Sequence, residues 1–357
     1  MFKLVVFPYD LDNRDIVINV SDSKKFQICD IVSPQGWGFK GQNVVINDVE
    51  IQIKSEIEMV SEECDAIWIM DSYYQLDFED IVPILEVSKK KKWKVYWGRN
   101  CTSSEKETLC SIVPRESLVI LENENFKFET TDRVYALNTP IVFLLDCFGD
   151  MFSSNVSILL SQAFEKIGYT TRCLSKRCDM GMTGKYDVLP MSAMDKKASN
   201  KERVIKLNNF LKEFEEEYKP DLIIIEVPGN VLEMSNAVHG DFGCAAYIFS
   251  KAIPPDGIIV NIPYSDNIVE YYKNLGEEIQ KIVGVEVDFY NIVPKYLDIN
   301  ESEQRAKFEY VRLSEEFMKK NEMHRNDLNT ILNEEDAIYI AKQMVEKLKT
   351  YAAVDIV

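Results

Sequence analysis

Two apolar strands, each running into a polar turn, constrain this 357-residue chain more than any other feature. The first is Pro140-Ile-Val-Phe-Leu-Leu-Asp-Cys147. It is followed by the polar loop Phe148-Gly-Asp-Met-Phe-Ser-Ser-Asn155 and a helical pattern over 156–167 that Gly168 closes. The second is Asp221-Leu-Ile-Ile-Ile-Glu-Val227, which ends in Pro228-Gly229. Apolar runs of this length suit strands buried on both faces of a parallel sheet. Between them lies a helix over 201–218. Its face of Val204, Leu207, Leu211, Phe214 and Tyr218 is apolar, and the opposite face carries Glu202, Lys212, Glu215, Glu216 and Glu217. Open parallel sheets take ligands beyond the carboxyl ends of their strands. That rule puts the Gly149 loop and the Glu226–Gly229 turn side by side.

The rest of the chain repeats the alternation. Strands are expected over 3–9, 26–32, 66–70, 94–97 and 117–121, with helices over 51–64 (with room for a short strand before it), 78–91 and 104–112. Further strands are expected over 170–174, 257–262 and 285–293, a helix over 267–283, and a mostly helical stretch from 302 to 353. The fold class is therefore α/β, with two Rossmann-like three-layer domains on parallel sheets and a helical C-terminal tail. The expected division is a first domain over 1–122, a linker or hairpin over 123–138, a second domain over 139–300 and the tail over 301–357.

The strand-to-helix turn of a phosphate-binding loop reads G-x-x-x-x-G-K-[ST], with backbone amides cradling the phosphates and lysine on the β and γ oxygens. Counted from Gly149, this chain has Ser154, Asn155 and Val156 where Gly, Lys and Ser/Thr belong. Asp150 adds a negative charge where an anion would sit. Ser153, Ser154 and Asn155 still offer hydroxyl, amide and cap contacts. Glu226, at the end of its strand, suits a metal- or water-orienting role, with Gly229 in the turn beside it. Lys185, in the loop Gly181-Met-Thr-Gly-Lys-Tyr-Asp-Val188, is the candidate replacement for the missing lysine, with Arg177 a second cation to consider. The plainer reading of each segment is a capped turn or a surface loop with no ligand.

Other constellations carry less. Asn236-Ala-Val-His-Gly-Asp-Phe-Gly-Cys244 groups His239, Asp241 and Cys244, and the chain has only one other histidine, His324. Zinc would need Cys178, Cys244, His239 or a carboxylate to converge from distant positions, so no metal site is expected. The loop Gln35-Gly-Trp-Gly-Phe-Lys-Gly41 reads equally as a ligand contact or a packed turn. Lys89–Lys92 reads as a solvated helix end.

Net charge is −18 and the pI is about 4.7. Such a chain repels nucleic acids and anionic membrane surfaces. No apolar run approaches the length of a membrane span. The N-terminus lacks a signal-peptide pattern, so a cytoplasmic location is expected, with the eight cysteines as reduced thiols. Cys29, Cys64 and Cys147 then read as small core hydrophobes.

On the Gly149–Asn155 loop, the Gly168-Tyr169 step and the Glu226-Val-Pro-Gly229 turn, residues 139–295 resemble a degenerate member of the P-loop NTPases, the class of dethiobiotin synthetase and the MinD-like ATPases. That resemblance implies a P-loop-like domain and ATP or GTP with Mg²⁺ as the cofactor to test. It implies a vestigial or regulatory nucleotide site, because the loop has lost its glycine and lysine. The whole chain also resembles a clostridial-type family of peptide maturation system proteins, found with precursor peptides and radical-SAM enzymes in bacteriocin-like clusters. This second resemblance implies an accessory role, binding a precursor peptide or a maturation enzyme. The competing expectation is a nucleotide-dependent ligase or phosphotransferase.

Overall fold

The computed structural model describes residues 1–357 except 73, 75, 123–130, 150, 152, 191–196, 266–267, 322–327 and 353–357. Asp150, His324 and half of the expected linker lie outside the described residues. The chain divides into two compact units. One is Met1–Glu124 with Arg177–Leu189, and the other is Asn125–Lys176 with Pro190–Val357.

The first unit is built on a seven-stranded sheet. Its strands are β1 (Phe2–Phe7), β2 (Phe26–Val32), β3 (Asn43–Ile46), β4 (Val49–Lys54), β5 (Ala66–Ile69), β6 (Lys94–Trp97) and β7 (Leu118–Ile120). Their order is β3-β4-β2-β1-β5-β6-β7, and every pair is parallel except β3 with β4. Leu4, Val5, Val6, Ile67, Trp68, Ile69 and Val95 are wholly buried, as central parallel strands require. Helices Arg14–Asp22, Phe78–Lys90 and Ser103–Ile112 accompany the sheet. The last of these starts in a reciprocal cap between Thr102 and Glu105.

The expected helix over 51–64 is not there. Val49-Glu-Ile-Gln-Ile-Lys54 alternates in burial at period two and forms β4 instead. Asn47 and Asp48, both with positive φ, turn β3 into it. The helical reading lost to a two-residue hairpin turn. The segment Arg177–Leu189 adds a 3-10 turn at Cys178–Thr183 and the short strand β10 (Tyr186–Val188).

In the second unit the strands are β8 (Ile141–Asp146), β9 (Thr171–Ser175), β11 (Leu222–Glu226), β12 (Gly257–Tyr264), β13 (Phe289–Leu297), β14 (Tyr310–Arg312) and β15 (Leu328–Asn329). They run in the order β9-β11-β8-β12-β13-β14, with β15 beside β13 and β14 alone antiparallel. The stretch expected to be a helical tail thus contributes two strands as well as helices. Helix Ser153–Lys166 packs against the last helix, Glu334–Ala352. Helix Asn200–Tyr218, capped reciprocally by Ser199 and Glu202, packs against Cys244–Ala252. Gly257 has no side chain because the Met344 sulfur would lie 2.6 Å from its Cβ. Among the described residues no helix is long and apolar enough to cross a membrane.

Candidate functional site

The strand order fixes where a ligand would enter the second unit. From β8 the chain crosses to β9 on one side, and from β12 it crosses to β13 on the other, so the crevice opens between β8 and β12. Asp146 ends β8 and Asn261 sits opposite it on β12. Asn261 Nδ2 donates to Asp146 Oδ1 at 2.8 Å, and Asn291 Nδ2 on β13 donates to Asn261 Oδ1 at 2.7 Å. The Ile331 amide donates to Asn291 Oδ1 at 2.8 Å. On the other side, Lys176 Nζ lies 2.5 Å from Asp146 Oδ2, with the aspartate side chain fully buried and the lysine one tenth exposed. A chain of buried polar groups therefore runs from Lys176, just after β9, through the end of β8 to the interior of β12 and β13.

Glu226 ends β11, between β8 and β9, and is wholly buried. Ser154 Oγ donates to its Oε2 at 3.1 Å and Ser175 Oγ at 2.7 Å, Ser157 Oγ donates to Oε1, and the Lys176 amide reaches Oε2 at 3.3 Å. Burial pushes the Glu226 carboxyl above its ordinary range. The Ser157 hydroxyl, the Lys176 charge and the other two hydroxyls pull the opposite way. The turn beyond Glu226 folds back onto β8: the Val231 amide donates to the Asp146 carbonyl at 3.0 Å and the Leu232 amide to the Cys147 carbonyl at 3.1 Å.

Gly149 has φ +61°, a left-handed turn. A Cβ there would meet the Phe308 ring at 3.0 Å, and the Tyr310 hydroxyl donates to the neighbouring Phe148 carbonyl. Gly149 and Phe148 thus pack against the Phe308–Tyr310 segment. Ser153 opens the helix, but its side chain lies outside the described residues. Asn155 is buried. Gly229, at φ +81°, faces Asp241, whose nearer oxygen would lie 2.4 Å from a Cβ. Asp241 itself accepts from the amides of Asn230, Gly243 and Ala245, so it caps a helix instead of facing a ligand. Asn230 in turn bonds the Leu232 and His239 carbonyls. The His239–Asp241–Cys244 constellation is a self-locked loop.

Lys185 is exposed and lies in the segment that groups with the first unit. The cation beside Glu226 is Lys176, a residue with no distinguishing signal in the sequence. Arg177 also spends its donors in the first unit. It bonds both Asp179 oxygens at 2.5 and 3.0 Å, Asn13 Oδ1 at 2.8 Å and the Asp71 carbonyl at 2.9 Å. Asn13 and Asp71 follow β1 and β5, the pair at which the first sheet's strand order reverses. Asp179 is fully buried, and desolvation raises its pKa against the pull of Arg177. A separate cavity of about 190 Å³, lined mainly by Pro140, Phe164, Tyr169, Leu222, Val345 and Leu348, is apolar and lies among helix 153–166, helix 334–352 and the entry ends of the strands.

The residues present do not fit a nucleotide with Mg²⁺ as they stand. Both Glu226 oxygens already accept hydroxyl protons, Lys176 is neutralised by Asp146, and Gly149 packs against the Phe308 ring.

No protein-family model matches the chain, and no curated relative matches it. Among solved structures, a DUF1611 family protein from Anabaena variabilis superposes with a TM-score of 0.61 at 11% identity, covering 98% of this chain and 100% of that one. This likeness shows a shared fold over nearly the whole length. The MinC:MinD cell division complex of Aquifex aeolicus matches at TM-score 0.30 and 10% identity, over 58% of this chain and 96% of that one. The signal recognition particle 54 kDa protein of Aeropyrum pernix, in complex with GDP, matches at TM-score 0.27 and 11% identity, over 77% and 62%.

Proposed function

We propose that this chain is a binding protein built on a nucleotide-type α/β frame, and that it does not hydrolyse nucleotide. It serves as an accessory factor in the maturation of a peptide natural product, holding a precursor peptide or a maturation enzyme. One observation supports the non-hydrolytic reading above the rest. Glu226 and Lys176, the carboxylate and cation that phosphoryl chemistry would use, are committed to buried partners within their own unit. The partner class is supported by the net charge of −18, which favours a basic peptide segment. The test is phosphate release from ATP or GTP with Mg²⁺, and the expected result is no turnover above the buffer blank.

The second reading is a nucleotide-dependent ligase or phosphotransferase. Lys176 favours it, because it brings a lysine to the carboxyl edge of the sheet where the turn itself lacks one. Turnover that Lys176→Ala abolishes would replace the first reading with this one.

A further inference from the structure

The structure joins Cys29 and Cys64 as a disulfide, 35 residues apart in sequence and 6.6 Å apart at Cα. This differs from the expectation of two separate core thiols, and the backbone gives the reason. Along β1 and β2, Leu4 pairs with Ile28 but Val5 pairs with Asp30, so Cys29 is the extra residue of a bulge. In a regular strand Cys29 and Asp30 would point to opposite faces; a bulge re-aims one of them. Both then reach Cys64. The ligand atoms of Cys29, Asp30 and Cys64 all lie within 4.8 Å of one another, the one such trio among the described residues. Asp30 Oδ1 also lies 2.5 Å from Lys54 Nζ, and its Oδ2 accepts the Ser61 amide at 2.8 Å.

We propose that reducing this disulfide opens a site for a soft divalent cation of the zinc class, held by the two sulfurs and the Asp30 carboxylate. Thiolate sulfur with one carboxylate oxygen is a zinc-type donor set, and water completes the tetrahedron. Charge supports the assignment. Two thiolates and a carboxylate carry three negative charges; the cation contributes two positive charges and Lys54 one, so the buried site is neutral. The oxidised form, with only Asp30 and Lys54 charged, is neutral too. Neither state buries a net charge, whose cost would otherwise decide between them. The chemistry balances with a small-molecule thiol as reductant. Two equivalents of that thiol become its disulfide as the Cys29–Cys64 bond accepts two electrons and two protons. The cation then displaces those two protons from the thiols.

The experiment is a Co²⁺ titration of the full chain before and after reduction, with excess thiol removed in the absence of oxygen. The reduced chain is expected to give a thiolate-to-cobalt charge-transfer band that saturates at one ion per chain and collapses on adding Zn²⁺. The oxidised chain, identical in sequence and fold, is expected to give none. Cys29→Ser and Cys64→Ser are expected to lose the band, and Asp30→Asn to weaken binding. No band in the reduced chain overturns the proposal. So does a band of undiminished intensity in Cys29→Ser, which would trace it to Cys101, Cys110 or Cys244.

Discussion

The buried pair of Lys176 and Asp146 is where single residues matter most. A buried ion pair adds little net stability, but removing one member strands the other charge. Lys176→Met is therefore expected to lower unfolding free energy by about 3–5 kcal/mol in denaturant titrations; a loss below about 1 kcal/mol, the range of an exposed pair, would mean that water reaches Asp146. Glu226 makes a different prediction. Its folded pKa is raised above the ordinary 4.5. The folded chain therefore keeps a proton that the unfolded chain has already released. Its contribution to stability is greatest below the ordinary value and falls as pH rises through the raised one. Glu226→Gln should flatten that part of the stability–pH profile, leaving the slope due to Asp179. An unchanged profile would show that the Glu226 carboxyl titrates alike in the folded and unfolded chain. The sequence advertised Glu226 and Ser154 because they stand at the ends of strongly apolar segments. It hid Lys176, which follows a short strand and looks like any exposed loop lysine. Asn261 and Asn291 were hidden too, although a lone asparagine inside an apolar parallel strand is itself a signal of a buried polar network.

At the scale of elements, most strands were legible because a buried parallel strand needs an uninterrupted apolar run. β2 and β6 fall on the expected residues, and the helices over 78–91 and 104–112 end within a residue of expectation. What failed was local turn chemistry. Asn47-Asp48 made a hairpin where helix was expected, and helices Arg14–Asp22 and Cys244–Ala252, each only nine residues long, were not expected. The bulge at Cys29 is invisible in sequence because register is a property of two strands at once. The loop over 229–243 also proved structural, since Asn230 ties three backbone groups within it. Asn230→Ala should lower stability by about 1–3 kcal/mol, the cost of leaving one buried partner unsatisfied. The last helix is held by wholly buried Ala341 and Met344, the latter lying over Gly257. Met344→Ala should cost about 2–5 kcal/mol by thermal or denaturant unfolding. A much smaller loss would mean that the helix docks loosely on β12.

Over the whole molecule, the two sheets share one device. In each, the place where the strand order reverses is closed by the chain's own side chains, Arg177 with Asp179 in the first unit and Lys176, Asp146 and Asn261 in the second. Under the proposed function, partners bind at the surface of such a frame. If the surface partner is a basic peptide, association should weaken steadily as salt is added. Affinity that does not change with ionic strength would remove charge as the basis of recognition. The most direct measurement is calorimetric titration of the purified chain with ATP and with GTP in the presence of Mg²⁺, repeated on Glu226→Ala. The account predicts no saturable heat up to millimolar nucleotide in either protein. Saturable binding to the native chain that Glu226→Ala abolishes would contradict it, and would show that the buried carboxylate opens to hold a metal–nucleotide complex.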